Sequence, residues 1–255
     1  VTISAPSGPQ CKGFFRGPIE HLAGIYIYRV PPRGVDCFAD IKNDLPMYRT
    51  TTIFDVGANV GQSAAVFRAK YPDSYIYCFE PVTNAYRLLK NNLRGDKYVE
   101  CAQMAFGSSR GTGTMALQHS SDRFYLLNQD EQPPVEHLCT EDVPIDTVDN
   151  FCKQEQSEHI SLMKIDAEGA DLAILEGSSE MLSEQRIDIV QTEAGMNPHN
   201  DRHASFEVMK EFLESHRYYL FGIYEQCHEA FAREPHLRRV NPIYISQQTI
   251  ARNRT

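Results

Sequence analysis

The stretch from Ile53 to Gly61, IFDVGANVG, constrains the fold of this chain more than any other part of the sequence. Its apolar beginning predicts a β-strand, and the residues that follow it have the periodicity of a helix. Glycine at positions 57 and 61 lets the backbone approach a ligand where a Cβ atom would intrude. The first N–H groups of the helix add hydrogen-bond donors. The stretch therefore predicts a strand, a tight ligand-binding turn and a helix.

The residues within this turn exclude two classes of phosphate ligand. A dinucleotide fingerprint needs glycines at its first, third and sixth positions, but counting from Gly57 the third is Asn59 and the sixth is Gln62. A P-loop is excluded because no Gly-Lys-Ser/Thr follows. Asp55, at the end of the strand, would repel a pyrophosphate but would suit a ligand with an ammonium group. The turn is therefore expected to bind a different kind of ligand.

A second acid, Glu80, ends the apolar run from Tyr75 to Phe79. At the tip of a neighbouring strand, its carboxylate could accept hydrogen bonds from both hydroxyls of a ribose. Asp55 would then bind an amino acid end of the ligand, and Glu80 its nucleoside end. That combination describes S-adenosylmethionine, which we predict as the cofactor.

Three segments also carry a family resemblance. DVGANVGQS at 55–63, FEP at 79–81 and KIDAEGADLAILEG at 164–177 resemble the signature segments of the FkbM family of S-adenosylmethionine-dependent methyltransferases. The resemblance runs from about Thr52 to Glu193. It implies a Rossmann-like methyltransferase fold and, usually, O-methylation of a sugar or natural-product hydroxyl.

The alternation of strands and helices after residue 51 predicts an α/β fold built from βαβ units. We expect a class I methyltransferase domain over 51–246, with a mostly parallel seven-stranded sheet, helices on both faces and an antiparallel last strand. Residues 1–50 are expected to form an extension with a strand at 24–30 and a helix at 38–45, which would act as a substrate lid or a structural cap. Residues 247–255 are expected to be a frayed tail.

An insertion is expected at about 111–145, with strands at 112–118 and 135–139 that would enlarge one end of the sheet, followed by a helix at 146–152. Phe124 and Tyr125 could contact the acceptor. Before the insertion, Met104 or Ala105 could pack on an adenine ring and Gln103 could bond its edge, although Met104 could equally be a core residue. The predicted cofactor-binding residues are Asp55, Gly57, Asn59, Gly61, Gln62, Ser63, Glu80, Pro81, Gln103, Met104, Ala105 and Asp166.

Candidate catalytic residues follow two later strands. Asp166 comes after the strand at 160–165, with Lys164 on the same face, and is our first choice to face the transferred methyl group. The alternative is that Asp166 only caps the next helix. Glu193 follows the strand at 187–192, and the polar loop after it carries His199 and His203 as candidate bases.

The predicted reaction is an in-line methyl transfer to a hydroxyl, with one of these candidates as the base. Asp166 and Glu193 could together bind a divalent cation, but we do not favour metal dependence and predict no metal-ligating residue. Two alternatives stay open. The acceptor could be a small amine, or the chain could be a non-catalytic module that binds S-adenosylmethionine.

The composition of the chain limits the classes of partner that it is expected to bind. The net charge of −9 and pI of about 5.5 argue against nucleic acid, so we expect a small-molecule or glycan acceptor. No stretch reaches the roughly 18 apolar residues of a membrane span. Seven cysteines without a CxxC pair favour free thiols in a reducing compartment, which predicts a cytoplasmic protein. The first residue is Val, which leaves open the removal of a leader. The oligomeric state is not predicted.

Overall fold

The computed structural model describes residues 21–22, 25–26, 31–117, 124–126, 139–197, 200, 203–228 and 235–254. Its strands, in chain order, are β1 (His21–Leu22), β2 (Ile25–Tyr26), β3 (Thr52–Val56), β4 (Tyr75–Phe79), β5 (Val99–Ala102), β6 (Ala105–Phe106), β7 (Gly111–Leu117), β8 (Phe124–Leu126), β9 (Cys139–Asp146), β10 (Ile160–Ile165), β11 (Ile187–Gln191), β12 (Ala194–Gly195), β13 (Tyr218–His228) and β14 (Leu237–Ser246). Its helices are α1 (Cys37–Asp44), α2 (Gln62–Lys70), α3 (Thr83–Asn92), α4 (Val148–Gln154), α5 (Asp171–Glu176), α6 (Ser179–Ser183), α7 (Phe206–Ser215) and α8 (Gln247–Arg252).

The main sheet has the strand order β12-β14-β11-β10-β3-β4-β5, and β13 also pairs with β14. Strands β11, β10, β3, β4 and β5 run parallel to one another. Strand β14 is antiparallel to both β11 and β13. Apart from the two-residue β12, the sheet therefore has the predicted seven strands, mostly parallel, with an antiparallel last strand. The predicted fold class is confirmed.

Each face of the sheet is covered by its own hydrophobic core. Because successive strand residues point to opposite faces, Ile53 packs with Ile76 in one core while Phe54 packs with Met163 in the other. Helices α1, α2 and α3 cover the first face. Helices α4 to α7 cover the second face. Since both faces are buried, the central strands are mainly apolar, with polar exceptions that include Asp55 on β3 and Lys164 on β10.

The insertion differs from its prediction in two ways. It does not extend the main sheet, because β6, β9, β7 and β8 form a separate four-stranded sheet. The predicted strand at 135–139 overlaps β9 only at Cys139, and residues 135–138 lie outside the described part of the chain. The helix expected at 146–152 begins two residues later, because Thr147 caps α4 by accepting a hydrogen bond from the N–H of Asn150.

The N-terminal extension is described mainly at α1, close to the predicted helix at 38–45. Asp36 caps this helix by accepting hydrogen bonds from the N–H groups of Phe38 and Ala39. A groove between α1 and the end of α2 reaches Thr50 and Ser74, which precede β3 and β4. Helix α1 therefore packs at the amino ends of these strands, opposite to the glycine turn. Only residues 25–26 of the predicted strand at 24–30 are described, and they belong to the short hairpin of β1 and β2.

The C-terminal residues are helical, so the prediction of a frayed tail was wrong for 247–252. Ser246 caps α8 by accepting a hydrogen bond from the N–H of Thr249. Asp188 on β11, which is only 3% exposed, accepts a hydrogen bond of 2.6 Å from the Thr249 hydroxyl and contacts Arg252. These buried partners anchor the helix to the sheet. None of the described helices has the length and hydropathy needed to cross a bilayer.

Candidate functional site

A cavity of about 350 Å³ opens at the carboxyl ends of β3, β4 and β10, the edge where doubly wound sheets bind ligands. Most of the predicted cofactor residues line it. They are Gly57, Asn59, Gln62, Ser63, Glu80, Pro81, Met104, Ala105 and Asp166. The cavity brings together residues from the glycine turn, the end of β4, the exit of β5 and the end of β10.

The glycine turn is held against the end of β4 by its backbone. The N–H groups of Gly57 and Ala58 both donate to the carbonyl of Phe79, each at 3.0 Å. Gly57 has a φ of +78°, and a Cβ atom there would lie 2.0 Å from the carbonyl oxygen of Asp166. The glycine is therefore required by two features at once, a left-handed backbone and the close approach of the turn after β10.

Gly61 has a different role from the one predicted. Its φ is +97° and it precedes the first residue of α2, but it does not line the cavity. A Cβ atom at this position would meet Leu89 at 3.1 Å and Leu93 at 3.4 Å. This glycine lets α2 begin close to α3.

Glu80 is only 4% exposed and lies between two backbone donors at the cavity wall. One carboxylate oxygen accepts from the N–H of Asn59 at 3.0 Å, and the other accepts from the N–H of Val82 at 2.9 Å. Burial raises the pKa of Glu80 to about 7, although these two hydrogen bonds oppose the rise. Each oxygen retains a second lone-pair site for a ligand.

The end of β10 carries an ion pair at the cavity wall. The Lys164 ammonium lies 3.0 Å from Oδ2 of Asp166 and 3.8 Å from Oδ1 of Asp55. The side chain of Asp166 is 42% exposed and faces the cavity, whereas Asp55 is completely buried and does not line it. Direct contact between Asp55 and a ligand, which the sequence predicted, is blocked by this burial. Burial also raises the pKa of Asp55 to about 6, with Lys164 opposing the rise.

The turn between β10 and α5 is stabilised by the buried side chain of Asp171. This residue is 1% exposed, and its two carboxylate oxygens accept from the N–H of Ala167 at 3.4 Å and of Glu193 at 3.1 Å. Burial raises the pKa of Asp171 to about 7. Within the turn, Glu168 has a left-handed φ of +47° and lines the cavity. A non-glycine residue in this conformation needs such support from its neighbours.

Another part of the cavity wall is apolar. Met104 and Ala105 lie here, together with Phe106 and with Met115 from β7. Gln103 does not reach the cavity, because its amide nitrogen donates to the Thr83 hydroxyl at 2.8 Å. The prediction that Gln103 contacts the adenine edge is therefore not supported by its position.

Glu193 and His203 do not line the cavity either. Their side chains are 6% and 2% exposed, and Oε2 of Glu193 lies 2.7 Å from Nε2 of His203, without the alignment of a hydrogen bond. The other oxygen of Glu193 contacts the guanidinium of Arg239. Burial lowers the pKa of His203 despite the nearby carboxylate of Asp171. These residues form a buried polar cluster beside the turn, away from the cavity wall, and His199 lies outside the described residues.

Several lining residues were missed by the sequence analysis. Lys164 was placed on the same face as Asp166 by strand alternation, but no local signal marked it as part of the site. Met115 comes from the insertion, whose packing the sequence did not reveal. The missed lining residues are Val56, Ala58, Phe79, Phe106, Met115, Lys164, Ala167, Glu168, Ala170 and Ile174. The side chains of Phe124 and Tyr125, predicted to contact an acceptor, are not among those described.

Asp166 and Glu193, the two acids that could together bind a divalent cation, do not form such a site in this structure. Asp166 is bound to Lys164, and Glu193 contacts Arg239. Over the described ranges, no group of three or more His, Cys, Asp or Glu residues is arranged to hold a metal ion. At the cavity wall, Lys164 thus compensates the charge of Asp166.

The parallel sheet with one antiparallel strand, and a cavity at its carboxyl edge, define a Rossmann-like class I methyltransferase architecture. The model of the FkbM methyltransferase domain matches residues 55–220, and the chain belongs to this family. Membership confirms the predicted resemblance and the prediction of S-adenosylmethionine as the cofactor.

The chain is similar to two curated fungal proteins. It is 26% identical to methyltransferase sdnD of Sordaria araneosa over 50% of this chain and 60% of that protein. It is 23% identical to methyltransferase 1 of Beauveria bassiana over 49% of this chain and 57% of that protein. The alignments thus span less than two thirds of these relatives. A solved structure of M. capricolum TrmK with S-adenosyl-homocysteine has a TM-score of 0.45 at 11% identity, covering 81% of this chain and 67% of that one.

Proposed function

We propose that this chain is an S-adenosylmethionine-dependent O-methyltransferase acting on a hydroxyl of a sugar, glycan or natural product. The observation that carries the proposal is the cavity at the carboxyl edge, where the glycine turn, Glu80 and Asp166 meet. When bound there, S-adenosylmethionine would supply an activated methyl group on a sulfonium sulfur. The net charge of −9 supports an acceptor other than nucleic acid.

The residues present fit this cofactor. Glu80 has free lone pairs at the cavity wall, which suit the two hydroxyls of a ribose. The slot formed by Met104, Ala105 and Met115 is apolar, as the faces of an adenine ring require. Gly57 lines the cavity without a side chain, so a ligand can lie against its backbone. The remaining proposed contacts are Asn59, Gln62, Ser63 and Pro81.

Asp166 is the proposed base, because it is the one catalytic candidate among the described residues that reaches the cavity. Its carboxylate would accept the proton of the acceptor hydroxyl as the oxygen attacks. A base of this kind contributes roughly 10²-fold to 10⁴-fold to the rate. Because Glu193 and His203 are buried and paired, their proposed part is to support the turn that carries Asp166.

Calorimetric titration with S-adenosylmethionine and S-adenosylhomocysteine tests the cofactor site. We expect the native chain to bind both and Glu80→Gln to bind at least roughly tenfold more weakly, since one charge-assisted hydrogen bond is worth about 1.5 to 3 kcal/mol. Because this change also disturbs the turn, Ala105→Trp provides a second variant that fills the cavity from a different wall. Glu211→Gln, an exposed carboxylate on α7, is the matched control. Absence of binding by the native chain, or unchanged binding by both cavity variants, would refute the proposal.

Turnover on panels of hydroxyl and amine acceptors tests the reaction. We expect methylated hydroxyl acceptors, and we expect Asp166→Asn to lower kcat by about 10²-fold or more while the affinity for S-adenosylhomocysteine changes only a few fold. Methylation of amines alone would replace the proposal with an N-methyltransferase. Tight cofactor binding without turnover on any acceptor would favour a non-catalytic binding module.

A further inference from the structure

Lys164 joins two carboxylates that differ sharply in exposure. Its ammonium lies 3.0 Å from the half-exposed Asp166 and 3.8 Å from the fully buried Asp55, and the lysine side chain itself is 12% exposed. The sheet fixes one of these approaches, because Lys164 and Asp55 are register partners on the parallel strands β10 and β3. The lysine therefore connects a buried acid to an acid at the cavity wall.

Besides Lys164, the backbone N–H of Ala64 favours the charged form of Asp55, but its contact is weak. Neither carboxylate oxygen accepts a well-aligned hydrogen bond from the described residues, although both are inaccessible to solvent. An isolated buried carboxylate is costly unless a cation compensates it. Since Lys164 supplies the nearest positive charge, the buried acid and the lysine depend on one another.

We propose that Lys164, anchored by Asp55, is a positioning residue that fixes the Asp166 carboxylate at the wall of the cavity. This inference rests on the proposed function, in which Asp166 is the base. Asp55 then acts through the lysine instead of contacting the cofactor, which explains why an acid is buried at the end of β3.

The electrostatics of the surrounding groups support this arrangement. Burial alone would lower the pKa of Lys164, but the surrounding carboxylates outweigh it and raise the pKa above its usual value. The lysine therefore stays protonated near neutral pH and cannot itself be the base. The charged and titratable groups around Lys164 and Asp55 are Cys78 on β4, Glu80 after β4, Asp166, Glu168 and Asp171 after β10, and His203 beside Asp171.

An alternative explanation for the position of Lys164 is that its aliphatic stem only fills space between strands. In that case methionine would replace it without consequence for either acid. If instead the ammonium is required, arginine at this position should preserve part of the influence of Lys164 on the two acids, because it keeps the positive charge. The variants Lys164→Met and Lys164→Arg therefore separate the two explanations. Lys210→Met, which removes a surface lysine paired with Glu214, is the matched control.

The first readout is the titration of Asp55, followed by carbon NMR of aspartate-labelled protein and assigned with Asp55→Asn. In the native chain the carboxyl should titrate with a pKa of about 6. In Lys164→Met we expect the midpoint to rise by about one pH unit or more, because the compensating cation is gone. Lys164→Arg and Lys210→Met should stay within about half a unit of the native value. An unchanged midpoint in Lys164→Met would overturn the proposal.

The second readout is the side-chain rotamer of Asp166, measured from three-bond couplings in the same samples. We expect one rotamer in the native chain and in Lys164→Arg, and averaging over several in Lys164→Met. Retention of a single rotamer in Lys164→Met would overturn the positioning role. Both readouts are independent of the cofactor, so a native chain that fails to bind S-adenosylhomocysteine would refute the proposed function while leaving the ion-pair test intact. On an identified acceptor, Lys164→Met should lower kcat about tenfold or more with little change in the cofactor KM.

Discussion

Asp55→Asn replaces the buried carboxylate beneath the cavity with a neutral amide of nearly the same shape. We expect this variant to be more stable than the native chain above pH 6. The reason is that Asn imitates the protonated form of the acid, which is the form that burial favours at this position. Since neither oxygen of Asp55 accepts a well-aligned hydrogen bond from the described residues, the main interaction that the substitution removes is the attraction to Lys164.

The size of the effect follows from the pKa of Asp55, which burial raises from 3.8 to about 6. Between these values the folded state holds the proton more tightly than the unfolded state, so stability falls as the pH rises through this window and is constantly lower above it. One unit corresponds to about 1.4 kcal/mol, which sets an upper limit of roughly 3 kcal/mol. Relaxation around the buried pair reduces this, and we expect a gain of about 2 kcal/mol at pH 8.

Urea unfolding at pH 5, 6, 7 and 8 measures this difference. The gap between Asp55→Asn and the native chain should widen by about 1 kcal/mol from pH 5 to pH 7 and then stay constant. Glu80 and Asp171, whose pKa values are also raised, contribute a similar slope to both proteins and largely cancel in the difference. Asp73→Asn, at an exposed turn position, is the matched control. Parallel stability curves for Asp55→Asn and the native chain would refute the reasoning.

Three further outcomes follow from the site. Gly57→Ala should lower stability by about 3 kcal/mol or more and Gly95→Ala by only about 1, because both have positive φ but only Gly57 has a backbone carbonyl in the way. Equal losses in Tm would contradict the steric argument. Arg239→Met should cost about 2 kcal/mol in urea unfolding, since Glu193 loses its cation, and a neutral result would mean that this pair is not needed. Affinity for S-adenosylhomocysteine should increase as the pH rises through about 7, where Glu80 ionises, and calorimetry showing a flat profile would exclude Glu80 as a charged ligand.

The sequence was informative wherever function is encoded in neighbouring residues. The glycine turn and Glu80 were predicted because a strand, small residues and a helix start follow one another, and backbone geometry requires glycine at Gly57. Asp166 was predicted at the cavity because the carboxyl ends of parallel strands share one edge. Each of these predictions depends on only one strand and the turn after it.

The sequence was uninformative wherever a side chain is controlled by a distant partner. Glu193 and His203 satisfy the local criteria for catalytic residues, but Arg239 on β14 and Asp171 on α5 draw them into a buried cluster. Gln103 is kept away from the cavity in the same way, because its amide nitrogen donates a hydrogen bond to the Thr83 hydroxyl. Such contacts depend on how the strands and helices pack, which local periodicity does not encode.

Asp55 shows how these two kinds of information combine. The sequence located an acid correctly at the end of β3 but assigned it to the ligand, because an exposed carboxylate there would bind a cation. The register of β3 and β10 instead places Lys164 beside it, and burial makes the acid a liability for stability. A fold under selection for stability alone would have no reason to keep that charge. Its presence is explained if the lysine it anchors must hold Asp166 in place, so Asp55→Asn should gain stability and lose turnover in the same variant.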